Sequence, residues 1–469
     1  MSESAAAAAT GVASPAKSGI ARLRRGILLL TVLLSAMVPW YTLHLFPVVR
    51  VGSSKVNLLD VLVAAAVCLA LPGIVRSLRR RDLASWSVVA FLGGMVIPLL
   101  LGLYASDARF FAVREARGLA FYALALAFMA ENFATDEYRA IVGAYVVGTV
   151  IAAVFVFVHL RWGVPLPGYH DLTLAVPGWK VFPQSVNYLQ WTTPVIALML
   201  ATVGILAARS AVARAGWLIA LVVVAWYILA AGERFVQVLA VLSVSFAVIV
   251  PSGKSWKARL KVAAAALLAV VLVLGIVAAV DAPVRAWVRY TGLRWSVAFS
   301  DGSFVYRVRE SRAGLALVTR DPMAGGGLGA TLPIPPPAGE AGPWHYVSTG
   351  YGFLLIRTGF LGLLLYLAMI VTGLRSGWRQ LRTEWTANRW PRHAIGAAGV
   401  AILAVTNILH TAVDIPESVI AFGLFLAMLS GRPSARGSHI GDIVEESVTE
   451  KTEGHEFSHM SAQPRGTTA

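Results

Sequence analysis

Residues 281–362 read DAPVRAWVRYTGLRWSVAFSDGSFVYRVRESRAGLALVTRDPMAGGGLGATLPIPPPAGEAGPWHYVSTGYGFLLIRTGFLG. This polar stretch interrupts an otherwise almost continuous series of apolar runs. As far as Gly350, its basic residues are all arginines and no lysine occurs, the positions being Arg285, Arg289, Arg294, Arg307, Arg309, Arg312 and Arg320. Because a planar guanidinium group binds two phosphate oxygens at once, a loop that uses only arginine favours an anionic headgroup as its partner. We therefore interpret residues 281–350 as the functional loop and the rest of the chain as its scaffold.

The composition is that of an integral membrane protein. Hydrophobic residues make up 57% of the chain and charged residues 14%, and the mean hydropathy is +0.70, which excludes an ordinary soluble globule. The net charge of +16 is carried mostly by short segments between apolar runs, where it sets orientation, so nucleic acid is not an expected partner. The single cysteine, Cys68, lies in an apolar run, which excludes a disulfide framework and a cysteine-ligated metal site.

Hydropathy predicts an all-α fold, a polytopic membrane protein with about twelve transmembrane helices, since each span needs roughly twenty apolar residues. The predicted spans before the loop are 26–46, 57–75, 85–104, 118–133, 140–160, 188–208, 216–231, 235–250 and 262–280. The predicted spans after it are 351–374, 394–410 and 418–430. The large, partly helical loop at 281–350 therefore falls between the ninth and tenth helices.

Lysine and arginine are concentrated in alternate connections, which predicts the orientation of the chain. The clusters on one side are Arg22/Arg24/Arg25, Arg76/Arg79/Arg80/Arg81, Arg209/Arg214, Lys254/Lys257/Arg259/Lys261 and Arg375/Arg379/Arg382/Arg389/Arg392. Positive residues mark the cytoplasmic side, so both termini are predicted to be cytoplasmic and loop 281–350 extracytoplasmic. Segments 1–21 and 432–469 are predicted to be disordered tails that flank a transmembrane domain at 22–431.

A very short turn between the seventh and eighth predicted helices contains Glu233 and Arg234, within the sequence AAGERF at 230–235. Charged side chains at the edge of the hydrocarbon are costly unless they are paired or engaged, so a functional role for Arg234 is the default hypothesis. The alternative is an interfacial Glu233–Arg234 pair that only caps two helices.

An amphipathic helix is predicted at 306–319, within the functional loop, and Asp321-Pro322 ends it. Its stripe at three-to-four spacing consists of Val308, Arg312, Leu315 and Thr319. The glycine cluster that follows allows tight turns and close approach of backbone N–H groups to a ligand, although a plain flexible loop explains it as well. The candidate substrate-binding residues of this region are Arg307, Arg309, Arg312, Gly325, Gly327 and Gly329.

His345 lies just before the tenth predicted helix and is the candidate general base, because histidine takes a proton from a hydroxyl near neutral pH. A histidine beside a tryptophan is also common at a membrane boundary, which is the alternative. Arg117 is a candidate to extend the basic surface, and Asp60 is expected to pair with Lys55 or to stabilise a helix N-terminus. The sequence has no nucleotide-binding loop and no metal-holding carboxylate pair, so neither a cofactor nor a metal is expected.

Taken together, these motifs resemble the O-antigen ligase and polymerase superfamily of membrane enzymes. A turn similar to the family's Ser-Arg-Gly is present as Gly232-Glu233-Arg234. A P-x-x-G-x-G-x-G pattern is present as Pro322, Gly325, Gly327 and Gly329. Arg307 lies about fifteen residues before it. The G-x-x-G pair that opens the next helix is matched by Gly359 and Gly362. The motifs cover residues 232–362, in the family's order.

The resemblance implies a glycosyl transfer without nucleotide or metal. The donor would be a glycan linked to undecaprenyl diphosphate at the outer face of the bacterial cytoplasmic membrane, and the acceptor a lipid, a glycan or a protein. Arg234 and Arg307 would bind the leaving diphosphate, and His345 would take the acceptor proton in one inverting step. Two departures from the family pattern are Ser348-Thr349, where the family has His or Asp followed by Asn, and Glu233, where Ser is common.

Several alternatives remain open at this point. Within the family, the sequence does not distinguish a ligase that moves a finished polymer from a polymerase that extends it. A glycolipid flippase or another transporter is the competing class, but it predicts charged residues along a midplane path, and the apolar runs carry few. A non-catalytic membrane scaffold is the third possibility.

Overall fold

The computed structural model describes most of the apolar segments and part of the loop. The described residues are 15–39, 43, 47–51, 54–105, 109–131, 133–166, 173–174, 182–183, 189–231, 233–249, 264, 275, 279, 285, 289, 302–335, 347–384 and 391–430. His345, Gly232 and the predicted span at 262–280, apart from three single positions, lie outside them. So does most of the loop before residue 302.

The fold is all-α, as predicted. The helices before the loop are α1 Pro15–Met37, α2 Leu58–Arg79, α3 Leu83–Gly94, α4 Val96–Tyr104, α5 Arg109–Ala120, α6 Ala123–Glu131, α7 Thr135–Trp162, α8 Thr192–Ala207, α9 Ala211–Ala231 and α10 Arg234–Ile249. Those from the loop onward are α11 Gly302–Arg320, α12 Gly350–Glu384, α13 Arg392–Leu409 and α14 Pro416–Ser430. Two short antiparallel hairpins pair β1 Val49–Val51 with β2 Ser54–Val56, and β3 Thr173–Leu174 with β4 Phe182–Pro183.

Within the described residues, five segments are helical, long enough and apolar enough to cross a membrane. They are Leu58–Arg79, Leu83–Tyr104, Thr135–Trp162, Ala211–Ala231 and Gly350–Trp378. Four shorter apolar helices are Thr192–Ala207, Arg234–Val248, Arg392–Ile408 and Pro416–Ser430. The predicted number of about twelve spans is therefore not reproduced by helix length alone. The predicted span 118–133, for example, is interrupted at Phe121 and Tyr122. It covers the last three residues of α5 and the whole of α6.

Local sequence signals explain several helix boundaries. Asn57 and Asp60 form a capping box at the start of α2, in which the Asp60 N–H donates to Asn57 Oδ1 at 3.1 Å and the Asn57 N–H donates to Asp60 Oδ2 at 2.7 Å. These bonds satisfy N–H groups that a helix start leaves without partners. Helix α1 already includes Pro15, which lies inside the segment 1–21 predicted to be a disordered tail.

The helix predicted at 306–319 is present as α11, and the stripe at three-to-four spacing is not the face that packs against the rest of the protein. Val308 is 37% exposed and Leu315 59% exposed, whereas Glu310 and Val318 are buried. A side chain at Gly314 would overlap Ile356 of α12. The packed face is built from a buried carboxylate and a glycine, which a hydrophobic pattern does not register.

Aromatic side chains join α3, α12 and α14 in the core. Tyr122, between α5 and α6, lies edge-on to Phe422 at 5.7 Å between ring centroids, and Tyr366 stacks on Phe422 at 5.8 Å. Asn407 of α13 donates from Nδ2 to the Tyr366 hydroxyl at 2.9 Å. This cluster holds the end of α13 against α12 and so fixes the connection at 410–415 that forms part of the site described next.

Candidate functional site at one end of the helix bundle

The starts of α8, α10 and α12 meet the end of α13 around one histidine, His410. The imidazole centroid lies 3.7 Å from that of Trp191, the residue before α8, in an edge-on arrangement. It is stacked on Phe235 of α10 at 5.3 Å, with 9° between the rings. The Gly350 N–H at the start of α12 donates to the His410 carbonyl oxygen at 3.3 Å. These contacts bring four parts of the chain that are far apart in sequence to one end of the bundle.

Arg307 of α11 lies at the same end. Its guanidinium carbon is 5.9 Å from the centroid of the Phe235 ring, a cation–π distance. Phe235 directly follows Arg234, the first residue of α10, and both arginines are half-buried. The ring that Arg307 contacts therefore belongs to the residue next to Arg234, the other arginine that the resemblance assigns to the diphosphate.

Glu310 anchors α11 to the start of α12. The Ser348 hydroxyl and the Ser348 N–H both donate to Glu310 Oε2, the second at 3.2 Å. Glu310 is 2% exposed, and it lies one helical turn after Arg307. Because Arg307 and Glu310 share a face of α11, the bond to Ser348 sets how the Arg307 side chain enters the site. In this chain the position at which the resembling family has His or Asp thus holds a serine bound to a carboxylate.

The glycine cluster is docked against α12 and α4. The Gly326 N–H donates to Ile356 O at 2.8 Å, the Gly327 N–H to Arg357 O at 3.1 Å, and the Leu328 N–H to Pro98 O at 2.9 Å. The φ angles of Gly325, Gly327 and Gly329 are 67°, 83° and 74°, a region that favours glycine. The close backbone approach predicted for a ligand is here an approach to the protein itself, which occupies these amide groups.

A buried ion pair binds the end of the glycine cluster. Arg357, with no exposed surface, donates from Nε to Glu115 Oε1 of α5 at 3.1 Å. The Gly329 N–H donates to the other carboxylate oxygen of Glu115 at 2.5 Å, and Arg357 NH1 donates to Ala330 O. The sequence carried a signal for this pair, because an arginine and a glutamate beside or inside apolar runs need partners, but it did not show which partners they were.

The other predicted site residues lie elsewhere. Arg117 forms an ion pair with Asp60 and donates from NH1 to Lys55 O at 2.8 Å, so Asp60 pairs with Arg117 and not with Lys55. Arg309 and Arg312 are exposed on the side of α11 that faces away from α12. His345 lies outside the described residues, three positions before Ser348. Within the part of the chain that is described, no three His, Cys, Asp or Glu side chains lie together as a metal site.

No motif in the sequence marks His410 as a site residue, because it is a lone histidine at the end of an apolar run. It lies in the connection between α13 and α14, outside both helices, and its Nδ1 is 2.9 Å from Thr411 O. Burial lowers the pKa of the imidazole to about 3; the bond to Thr411 opposes this shift and the charge of Arg307 adds to it. The ring is therefore neutral at physiological pH.

No protein-family model and no curated protein matches this chain. The function has to be argued from the residues of the site.

Proposed function

We propose that the protein is a metal-independent inverting glycosyltransferase that moves a glycan from undecaprenyl diphosphate to an acceptor hydroxyl. The observation that carries the proposal is the placement of Arg307 against Phe235, the neighbour of Arg234, at the end of the bundle where α12 begins. In the proposal both arginines bind the diphosphate, because each guanidinium group offers a fork of donors that matches two phosphate oxygens.

The proposed chemistry is a single displacement. The acceptor oxygen attacks the anomeric carbon, the bond from that carbon to the diphosphate breaks, and the electron pair stays on the phosphate oxygen. Arg234 and Arg307 stabilise this negative charge as it develops, which is the electrostatic contribution that lowers the barrier. His345 is the base that the resemblance suggests. The donor linkage supplies the energy, so neither a nucleotide nor a metal is required.

The location supports a lipid-linked donor. The site lies at the start of α12, a helix long and apolar enough to cross a membrane, and at the ends of three shorter apolar helices. A polyprenyl chain is a substrate that remains in the hydrocarbon while its diphosphate lies at the surface. The proposed site faces outward on the cytoplasmic membrane of a bacterium, in the orientation that the arginine and lysine clusters predict. Arg309 and Arg312, exposed on α11, are proposed to contact the glycan beyond the diphosphate.

Reconstitution with a carrier-linked glycan tests the proposal. In proteoliposomes the wild-type protein is expected to transfer the glycan, and Arg307→Lys is expected to lose about 10²-fold or more in rate, because lysine keeps the charge but not the fork. Arg320→Lys is the matched control, since Arg320 is an exposed arginine at the far end of the same helix. Full activity of Arg307→Lys and of Arg234→Lys would remove the diphosphate assignment.

A strain that lacks the protein separates the two kinds of transferase. Accumulation of long polymer on the carrier indicates a ligase, whereas accumulation of single repeat units indicates a polymerase. A glycolipid flippase, the competing class, would instead leave the glycan on its original carrier lipid after reconstitution and change only the leaflet in which it is found.

A further inference from the structure

His410 is a buried titratable side chain in the candidate site for which the proposed reaction has as yet no use. It is 5% exposed, and it contacts Phe235, the same ring against which Arg307 lies. Its backbone is bonded to the start of α12 through Gly350, and the next residue, Thr411, donates its hydroxyl to Val347 O. The imidazole thus contacts α10, the helix that begins with Arg234, through the same ring that Arg307 contacts.

The hydrogen bond of Nδ1 determines the tautomer of the ring. Its partner, Thr411 O at 2.9 Å, is a carbonyl oxygen and only accepts, so Nδ1 must carry the proton. In the neutral imidazole the other nitrogen, Nε2, then has the lone pair. This is the arrangement of a general base whose second nitrogen is fixed by an acceptor.

Two aromatic rings fix the plane of the imidazole. Trp191 meets it edge-on and Phe235 stacks against it, while Trp191 and Phe235 also contact each other at 4.7 Å. A base must be held in a productive orientation to act within one displacement. Rings on two sides and a backbone bond at Nδ1 leave the imidazole little freedom to rotate.

We propose that His410, through Nε2, takes the proton of the acceptor hydroxyl in the glycosyl transfer. This assignment rests on the proposed function. The acceptor O–H bond breaks as the oxygen bonds to the anomeric carbon, the proton passes to Nε2, and the electron pair of the broken donor bond leaves with the diphosphate. The imidazolium returns its proton to water after the product departs, so that protons and charges balance over the cycle.

The bound donor makes the imidazole a stronger base than it is in the free protein. Burial lowers the pKa of His410 and the charge of Arg307 lowers it further, and a diphosphate bound to Arg307 neutralises that charge. Its own negative charges, close to the ring, favour the imidazolium. The base therefore gains strength when the donor is in place, which limits proton transfer in its absence.

The structure also allows a purely structural histidine, and one substitution separates the two roles. In His410→Asn, the amide nitrogen takes the place of Nδ1 and still donates to Thr411 O, but no basic lone pair remains. In His410→Gly, the lost ring leaves a space between Trp191 and Phe235 into which free imidazole can bind. His345→Asn tests the competing assignment of the base.

The experiment measures kcat and the donor KM in proteoliposomes with a carrier-linked glycan, with and without added imidazole. We expect His410→Asn to lower kcat by about 10²- to 10⁴-fold, a typical general-base contribution, with the donor KM within about threefold of wild type. Imidazole is expected to raise the rate of His410→Gly by about tenfold or more.

Four results overturn the assignment. A fully active His410→Asn shows that the base is another group, while the glycosyl transfer itself stands. If His345→Asn is inactive in that case, the base is His345. A His410→Asn that loses donor binding, or a His410→Gly that imidazole does not restore, shows a structural role. A wild-type protein that transfers no carrier-linked glycan contradicts the proposed function, and this assignment with it.

Discussion

Arg357 and Glu115 form an ion pair inside the protein, with 3.1 Å between Nε and Oε1 and no exposed surface on the arginine. The pair connects α12 to α5, and through Gly329 and Ala330 it holds the glycine cluster. Removing one member leaves an uncompensated charge in a buried site, which costs about 3–5 kcal/mol.

Glu115→Ala is therefore expected to destabilise the protein by about 3–5 kcal/mol. Thermal unfolding in detergent, followed by loss of monodisperse protein, measures the effect. Asp136→Ala is the control, because Asp136 pairs with Arg139 at 3.8 Å on an exposed surface, where an ion pair contributes less than about 1 kcal/mol. Equal midpoints for the two variants would show that the buried pair has no structural importance.

Gly359 is required by the kink in α12. Its φ of 64° and ψ of −165° interrupt the helix, and an added Cβ would overlap the carbonyl oxygen of Met323. The Phe360 N–H just after the kink donates to Pro322 O at 2.8 Å, so the kink also docks the glycine cluster.

Gly359→Ala is expected to cost about 1–3 kcal/mol or more through backbone strain and to expose residues 321–330 to proteases. Limited proteolysis with mass spectrometry detects the new cleavage sites. Gly93→Ala is the matched control, because nothing lies within 4 Å of an added Cβ in that exposed part of α3, and alanine favours the helix by about 0.5–1 kcal/mol. Unchanged proteolysis of Gly359→Ala would contradict the docking role.

Glu310 is expected to position Arg307. Glu310→Ala removes the acceptor for the Ser348 hydroxyl and N–H, which leaves buried donors without a partner at a cost of about 1–3 kcal/mol. Because α11 then loses its bond to the start of α12, we expect the donor KM to rise, by about tenfold for a loss of 1.4 kcal/mol in binding. The control is Ser311→Ala, because the Ser311 hydroxyl donates to Arg307 O of the same helix, on the exposed side of α11. A Glu310→Ala enzyme with wild-type KM and kcat would show that α11 is positioned by other contacts.

The pH dependence of kcat/KM follows from His410. Burial, with the charge of Arg307 from α11 as a smaller cause, lowers the pKa of the free protein's imidazole to about 3; the faces toward α8 and α10 are the uncharged rings of Trp191 and Phe235. A lowered pKa means that the ring stays neutral as the pH falls through 6.5, so this group produces no loss of kcat/KM between pH 7 and about pH 4. An acid limb near pH 6.5 that disappears in His410→Asn would contradict this environment.

Some of these features follow from the sequence and others do not. A charge at the edge of an apolar run made Arg234 a candidate, the arginine-only loop made Arg307 a candidate, and an amphipathic pattern located α11 to within a few residues. The packed face of α11 does not follow from a hydrophobic pattern, because Glu310 and Gly314 pack there and Leu315 does not. His410 was missed because its importance comes from contacts with Trp191 and Phe235, which are far away in the chain. A hydropathy window is longer than α5 or α6, so the prediction joined the end of α5 and the whole of α6 into one span.

The central claim is that Arg234 and Arg307 act on one diphosphate, and the transfer rates of Arg234→Ala, Arg307→Ala and the double variant test it most directly. Groups that act as a unit give strongly non-additive effects. We expect each single variant to lose about 10²- to 10³-fold in transfer of a carrier-linked glycan, and the double variant to lose little more. Unaltered transfer in the single variants, or losses that simply multiply in the double variant, would contradict the account.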